Sequence, residues 1–233
     1  MMKSMHLIML LIIAVSFVQS QSMFLDAGQQ GAFMVSGGYS TSDDATGFGG
    51  AAGYSINGVF DIFAGYGTSS PADDEIDDMK TSSLSFGSSY HLPNEAVAMP
   101  ISAAVSVSYT TISVDWDYLD ERDLNMYGNA FIVSVSLYKK FLTGSGVKKY
   151  LKGSGVTLYP YIAFAVGRQE ITIEGSYGDP GYETESTNYL GIGLAVAIPQ
   201  ETGAIFIIEP SLNNYEGETQ INFTVGMLFN ANK

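Results

Sequence analysis

The side chains able to do chemistry are few. Beyond residue 22 there is one histidine, His91, and the chain has no cysteine. A histidine acting as a general base needs a nucleophile beside it and an acid to orient it. No Gly-x-Ser-x-Gly element is present to supply a serine, so a polar structural role is expected for His91 and no catalytic residue is assigned. The acids are more conspicuous: Asp73-Asp74-Glu75-Ile76-Asp77-Asp78 packs five carboxylates into six positions. Carboxylate oxygens are the ligands that hard divalent cations prefer. Asp73, Asp74, Asp77 and Asp78 are therefore the candidate metal ligands, yet the run lacks the central glycine and closing glutamate of an EF-hand. A solvated acidic loop is the expectation, with a divalent cation as the alternative.

Two other patterns dissolve on inspection. Gly47-Phe48-Gly49-Gly50-Ala51-Ala52 loosely matches a dinucleotide-binding glycine motif, but no helix follows it; a turn leading into a strand of small residues is expected. Asn222-Phe223-Thr224 fits a glycosylation sequon inside a strand pattern and is set aside. No cofactor motif remains.

The chain has 233 residues, enough for one all-β domain. Residues 1–20 read as a secretory signal peptide: Lys3, an apolar run over 7–18, then Val18-Gln19-Ser20, with cleavage after Ser20 or Ser22. Residues 21–30 form a short lead-in, 31–230 the domain and 231–233 a tail. No stretch of eighteen apolar residues follows the leader, so no transmembrane helix is expected. The net charge of -14 argues against nucleic acid, whose phosphates would repel it. Charged residues are only 15% of the chain, sparse beside the roughly 25–35% of a water-exposed surface.

Ten segments alternate between bulky apolar and small or polar residues, the strand period. They lie near 31–40, 48–56, 60–66, 84–92, 101–110, 131–138, 156–167, 190–198, 204–213 and 221–229. The last is the clearest: Ile221, Phe223, Val225, Met227 and Phe229 alternate with Asn222, Thr224 and Gly226. Asn57-Gly58 joins the second and third segments with the strongest short hairpin signal. Pro160 is expected near the start of its strand, where a missing N–H is tolerated, and 170–186 is expected to be the longest outer loop.

Alternation alone does not say which face meets water. On a soluble β protein the polar face carries lysine, glutamate and arginine. Here it is built of Ser, Thr, Gly, Ala and Asn, with charge confined to positions such as Asp61, Lys140 and Glu209. Such a face is suited to an enclosed lumen, and the apolar face to lipid. An apolar band of about 25 Å is crossed by about ten tilted residues, the length of these segments. Tyr39, Tyr66 and Tyr109 would border the band on one side, Phe141 and Phe229 on the other. Closure follows, because an unpaired backbone group in hydrocarbon costs several kcal/mol. The expected fold is therefore an all-β, transmembrane, antiparallel up-and-down barrel of about ten strands, with eight as the alternative.

Charge partition agrees with this topology. With the first strand running outward, the outer connections near 43, 73, 115, 175 and 216 hold nineteen of the twenty-four acids. Lys139, Lys140, Lys148, Lys149 and Lys152 fall at an inner connection.

With its closing strand, the chain resembles the small porin-like outer-membrane β-barrel proteins of Gram-negative bacteria. The resemblance covers nearly the whole chain after the leader. It implies that Phe223, Val225, Met227 and Phe229 form the signal read by the outer-membrane assembly machinery, although Asn230-Ala231-Asn232-Lys233 follows the aromatic. It also implies outer-membrane lipid and lipopolysaccharide as surroundings, with divalent cations as a bridge to the acidic loops. The expected function is a non-enzymatic, membrane-structural or surface-contact barrel. A narrow cation-favouring pore comes second, since an acidic vestibule concentrates cations, and a secreted soluble β protein with adhesive loops third. Many lumen residues are small, which could leave a narrow water-filled path, whereas Phe63, Tyr138, Tyr159 and Tyr161 are the side chains that could block it.

Overall fold

A strand crossing hydrocarbon must satisfy both of its backbone edges, and ten long strands do so here by closing on themselves. The computed structural model describes residues 31–72, 78–92, 101–121, 123–142, 155–175, 181–215 and 218–230. The barrel strands are β1 (Ala32–Thr41), β2 (Ala45–Ile56), β3 (Phe60–Pro71), β4 (Lys80–Leu92) and β5 (Ser102–Asp115). They continue with β6 (Leu124–Tyr138), β7 (Thr157–Gly175), β8 (Gly181–Pro199), β9 (Ile205–Tyr215) and β10 (Glu218–Asn230). Each pairs antiparallel with its neighbour in the chain, and β10 returns to β1 from Phe229↔Phe33 to Ile221↔Thr41. The strand count is the expected ten. A two-residue strand, Phe141–Leu142, lies against the start of β7, and a four-residue helix α1 (Asp117–Asp120) joins β5 to β6. Among the described residues no helix is long and apolar enough to cross a membrane. The expected leader 1–20, lead-in 21–30 and tail 231–233 lie outside the described residues, as do Asp73, Asp74, Asp77, Lys148, Lys149 and Lys152.

The alternating residues face as their chemistry requires. Phe48, Tyr66, Phe86, Phe131, Phe164, Leu190, Ile192 and Ile221 stand outward and about half exposed. Ser40, Ser55, Ser85, Thr110, Ser134, Asn222 and Thr224 are buried inside. Tyr39, Tyr66 and Tyr109 are exposed towards one end of the barrel, Phe141 and Phe229 towards the other. We call these the acidic end, where the chain turns near Asp43, Asp78 and Asp117, and the lysine end, which carries Lys139 and Lys140.

Turn chemistry holds the lysine end. Asn57 and Gly58 both have positive φ, 57° and 64°, the mirror-image turn that matches strand twist. Pro160 is the fourth residue of β7 and sits just beyond the last β6 pair, Tyr138↔Tyr161, so its missing N–H breaks no bond to β6. Pro210, in mid-strand, does interrupt a ladder: pairing between β8 and β9 skips Glu209 and Pro210.

One expectation needs correction. Residues 170–186 are not chiefly loop: β7 runs to Gly175 and β8 starts at Gly181, while β6 begins at Leu124, before the expected 131. Leu190 and Ile192 are exposed apolar residues, whereas Thr184, Ser186 and Asn188, on the same face farther along, are exposed and polar. The strands have left the apolar band there. The outward face meets water there, so the bulky apolar residues that mark a membrane strand are missing from it.

A charge placed on this exterior should be penalised according to depth. Phe164→Arg, in mid-band, is expected to cost about 2–4 kcal/mol and Asn188→Arg, beyond the band, about 0–1 kcal/mol. Urea unfolding in phospholipid vesicles measures both; equal losses would contradict the placement of the band.

Candidate functional site

The lumen is where ionisable groups have been placed at a cost, and it is the candidate site. Asp61, second in β3, and His91, next to last in β4, both point inward from the lysine end and are 0% and 1% exposed. The His91 Nε2 is bonded to Asp61 Oδ2, and its Nδ1 lies 3.0 Å from the Tyr138 hydroxyl. Both ring nitrogens are thus engaged. In β6, Tyr138 is level with Tyr161 of β7, and the two rings share a small buried cluster with Ala104. The Tyr161 hydroxyl donates to Glu209 Oε1 across to β9 at 2.5 Å. Asp61, His91, Tyr138, Tyr161 and Glu209 therefore form a polar belt around the lysine-end third of the lumen.

The belt is packed as well as bonded. A Cβ added at Gly193 would lie 2.4 Å from the Tyr161 ring, and one at Gly87 would lie 2.3 Å from the Phe63 ring. These glycines make room for inward aromatic rings. Next to the belt, Ala32, Met34, Ala195, Ala197, Ile207 and Leu228 form a buried apolar cluster, with Tyr159 packed against it. Phe63, Tyr138 and Tyr161, the side chains that could block the lumen, are buried. At the acidic end a second apolar cluster gathers Met79, Ile112, Met126, Tyr189, Tyr215 and Leu119 of α1, with Trp116 packed alongside.

Between the two clusters the wall is polar. Ser85 and Thr110 hydroxyls are 2.7 Å apart, and Ser89 and Ser106 are 2.8 Å apart. Elsewhere polar atoms are buried with no protein hydrogen-bond partner among the described residues: both polar atoms of the Gln220 and Asn222 amides, and Glu209 Oε2.

The arrangement can pack the barrel interior and fix the strands that carry it. His91 offers no free nitrogen to a substrate, and its acid and phenol partners are buried with it. Among the described residues no group of three or more His, Cys, Asp or Glu is disposed to hold a metal ion. Asp78, the described member of the acidic run, is exposed in a turn. Phe223, Val225, Met227 and Phe229 alternate on the outward face of β10, beside β1. The Asp61–His91 and Tyr161–Glu209 pairs were not legible beforehand, because each joins residues 30 and 48 apart in the chain. The one available signal was charge on an otherwise uncharged inward face.

No protein-family model matches the chain, and no curated protein does. Solved structures do. The translocator domain of the autotransporter NalP from Neisseria meningitidis superposes with a TM-score of 0.53 at 12% identity, covering 91% of this chain and 92% of that one. The β domain of the Bordetella autotransporter BrkA gives 0.54 at 11% identity, covering 88% and 99%. At these identities the likeness is one of fold. The chain is a closed ten-stranded antiparallel β-barrel, similar in fold to those two domains.

Removing one partner of a buried pair strands the other. His91→Leu alone is expected to destabilise the barrel by about 3–5 kcal/mol. Combining it with Asp61→Leu should recover most of that loss, because two apolar groups leave no charge behind. A double-mutant cycle from urea unfolding in vesicles measures the coupling; additive losses would show that the two side chains do not act as a pair.

Proposed function

We propose that the protein is a non-enzymatic barrel of a Gram-negative outer membrane, acting as a structural body in that membrane and as a surface for contacts at its acidic end. The observation that carries this reading is what occupies the inward face of the wall. Rings, methyl groups and a bonded Asp–His–Tyr set occupy it between an apolar cluster at each end, on a wall whose outside is apolar. Ten strands enclose little more than side-chain volume, whereas open channels need about sixteen. A barrel sealed in this way has only its outside and its ends to work with. The outside is suited to lipid, which leaves the acidic end for recognition.

On the same reading, Phe223, Val225, Met227 and Phe229 serve the assembly machinery as the closing-strand signal. Outer-membrane lipid and lipopolysaccharide surround the barrel, with divalent cations offsetting acid–phosphate repulsion at the outer rim.

Two measurements on the refolded protein test the proposal. It should migrate faster on gels before boiling than after, and it should give no conductance steps in planar bilayers. Reproducible cation-selective steps would overturn the sealed-barrel reading in favour of a narrow pore.

A further inference from the structure

The barrel wall is uneven at the acidic end. β7 and β8 are nineteen residues each, whereas β9 on the other side of β8 has eleven. β9 ends at Tyr215, whose partner on β8 is Tyr189. On the opposite side β8 continues to pair with β7 as far as Ile173↔Gly181. Residues 181–188, Gly-Tyr-Glu-Thr-Glu-Ser-Thr-Asn, therefore have a ladder on one side alone among the described residues. At about 3.3 Å per residue, that is an edge of about 26 Å. It stands clear of the apolar band, since the exposed outward residues Thr184, Ser186 and Asn188 are polar.

An unpaired edge is a template for another strand, and folded proteins usually blunt it with proline, lysine, a bulge or shortness. None of these protects 181–188. It contains no proline or lysine, and the register with β7 is unbroken from Thr157↔Ala197 to Ile173↔Gly181. The one deterrent is charge of a single sign. Glu183 and Glu185 fall within the edge sequence. Like charges set opposite each other destabilise a strand pair, and opposite charges support it. A second copy of this chain, with net charge -14 and the same two glutamates on its own edge, is thereby disfavoured.

We propose that the β8 edge over residues 181–188 docks an extended, lysine- or arginine-bearing segment of another polypeptide as an added β-strand. Main-chain bonds to the free N–H and C=O groups supply the attraction, and the acidic surroundings select the partner's charge. The inference rests on the surface-contact reading above and names the kind of partner that surface takes.

Amide hydrogen exchange on the full chain, refolded in detergent micelles, tests it directly. Without a partner, alternate amides over 181–188 should exchange fast, because they point away from β7. The probe is an acetylated octapeptide of alternating lysine and valine. Two control peptides replace lysine by glutamate or carry N-methyl groups on one backbone edge. The lysine peptide should slow the fast amides by at least about ten-fold, as expected for amides newly hydrogen-bonded, and the controls should leave them fast. Three results would overturn the proposal: all eight amides slow without peptide, no slowing at millimolar lysine peptide, or equal slowing by either control. Conductance steps would sink the sealed-barrel reading, whereas these exchange results bear on the edge alone.

Discussion

Closure of β10 on β1 is the constraint on which the rest of the molecule depends. In water, an open sheet edge is solvated at little cost. In hydrocarbon each orphaned N–H or C=O costs several kcal/mol, so a ten-residue edge could not persist. The ten pairs from Ala32↔Asn230 to Thr41↔Ile221 abolish that edge. Once the sheet is a cylinder, alternation along every strand becomes a division between outside and inside. That is why one residue pattern settles lipid contact and lumen content together.

The interior then shows a trade. An inverted barrel, with its apolar faces inward and its hydroxyls against lipid, is excluded because Asp61, Glu209, Asn222 and Gln220 could not face hydrocarbon. The same groups are costly to bury wherever no hydrogen bond satisfies them. Aromatic rings laid over Gly87 and Gly193, and the apolar clusters at either end, offset this by filling volume. Beyond the apolar band, backbone pairing is optional because water can replace it. There the strands end at different heights, and among the described residues β8 has one side unpaired over 181–188.

Much of this was legible in the residues. Strand number, facing and the turn at Asn57-Gly58 follow from a two-residue period and from side chains that hydrocarbon or a crowded lumen would accept. What escaped notice has physical causes. The outer parts of β6, β7 and β8 carry Asn125, Arg168, Thr184, Ser186 and Asn188 on an outward face that is wet there, so the apolar outside that marks a membrane strand is missing. Pro210 sits where mid-strand proline is disfavoured, and its accommodation depends on a gap in the β8–β9 ladder that no local pattern announces. The Asp61–His91–Tyr138 and Tyr161–Glu209 contacts depend on barrel register, which brings together residues from five strands. His91 was expected to be structural, but its partners could be named only once the strands were in place.

The central claim is that the Phe, Val, Ile and Leu faces meet hydrocarbon while the Ser, Thr and Tyr138 faces look inward. Tryptophan fluorescence in vesicles of lipids brominated on their acyl chains tests it most directly. With Trp116→Phe as background, Phe164→Trp should be strongly quenched and Tyr138→Trp should not. Quenching at 138 with none at 164 would mean that the barrel is inside out, and the lumen, the membrane band and the water-exposed edge would all have to be reassigned.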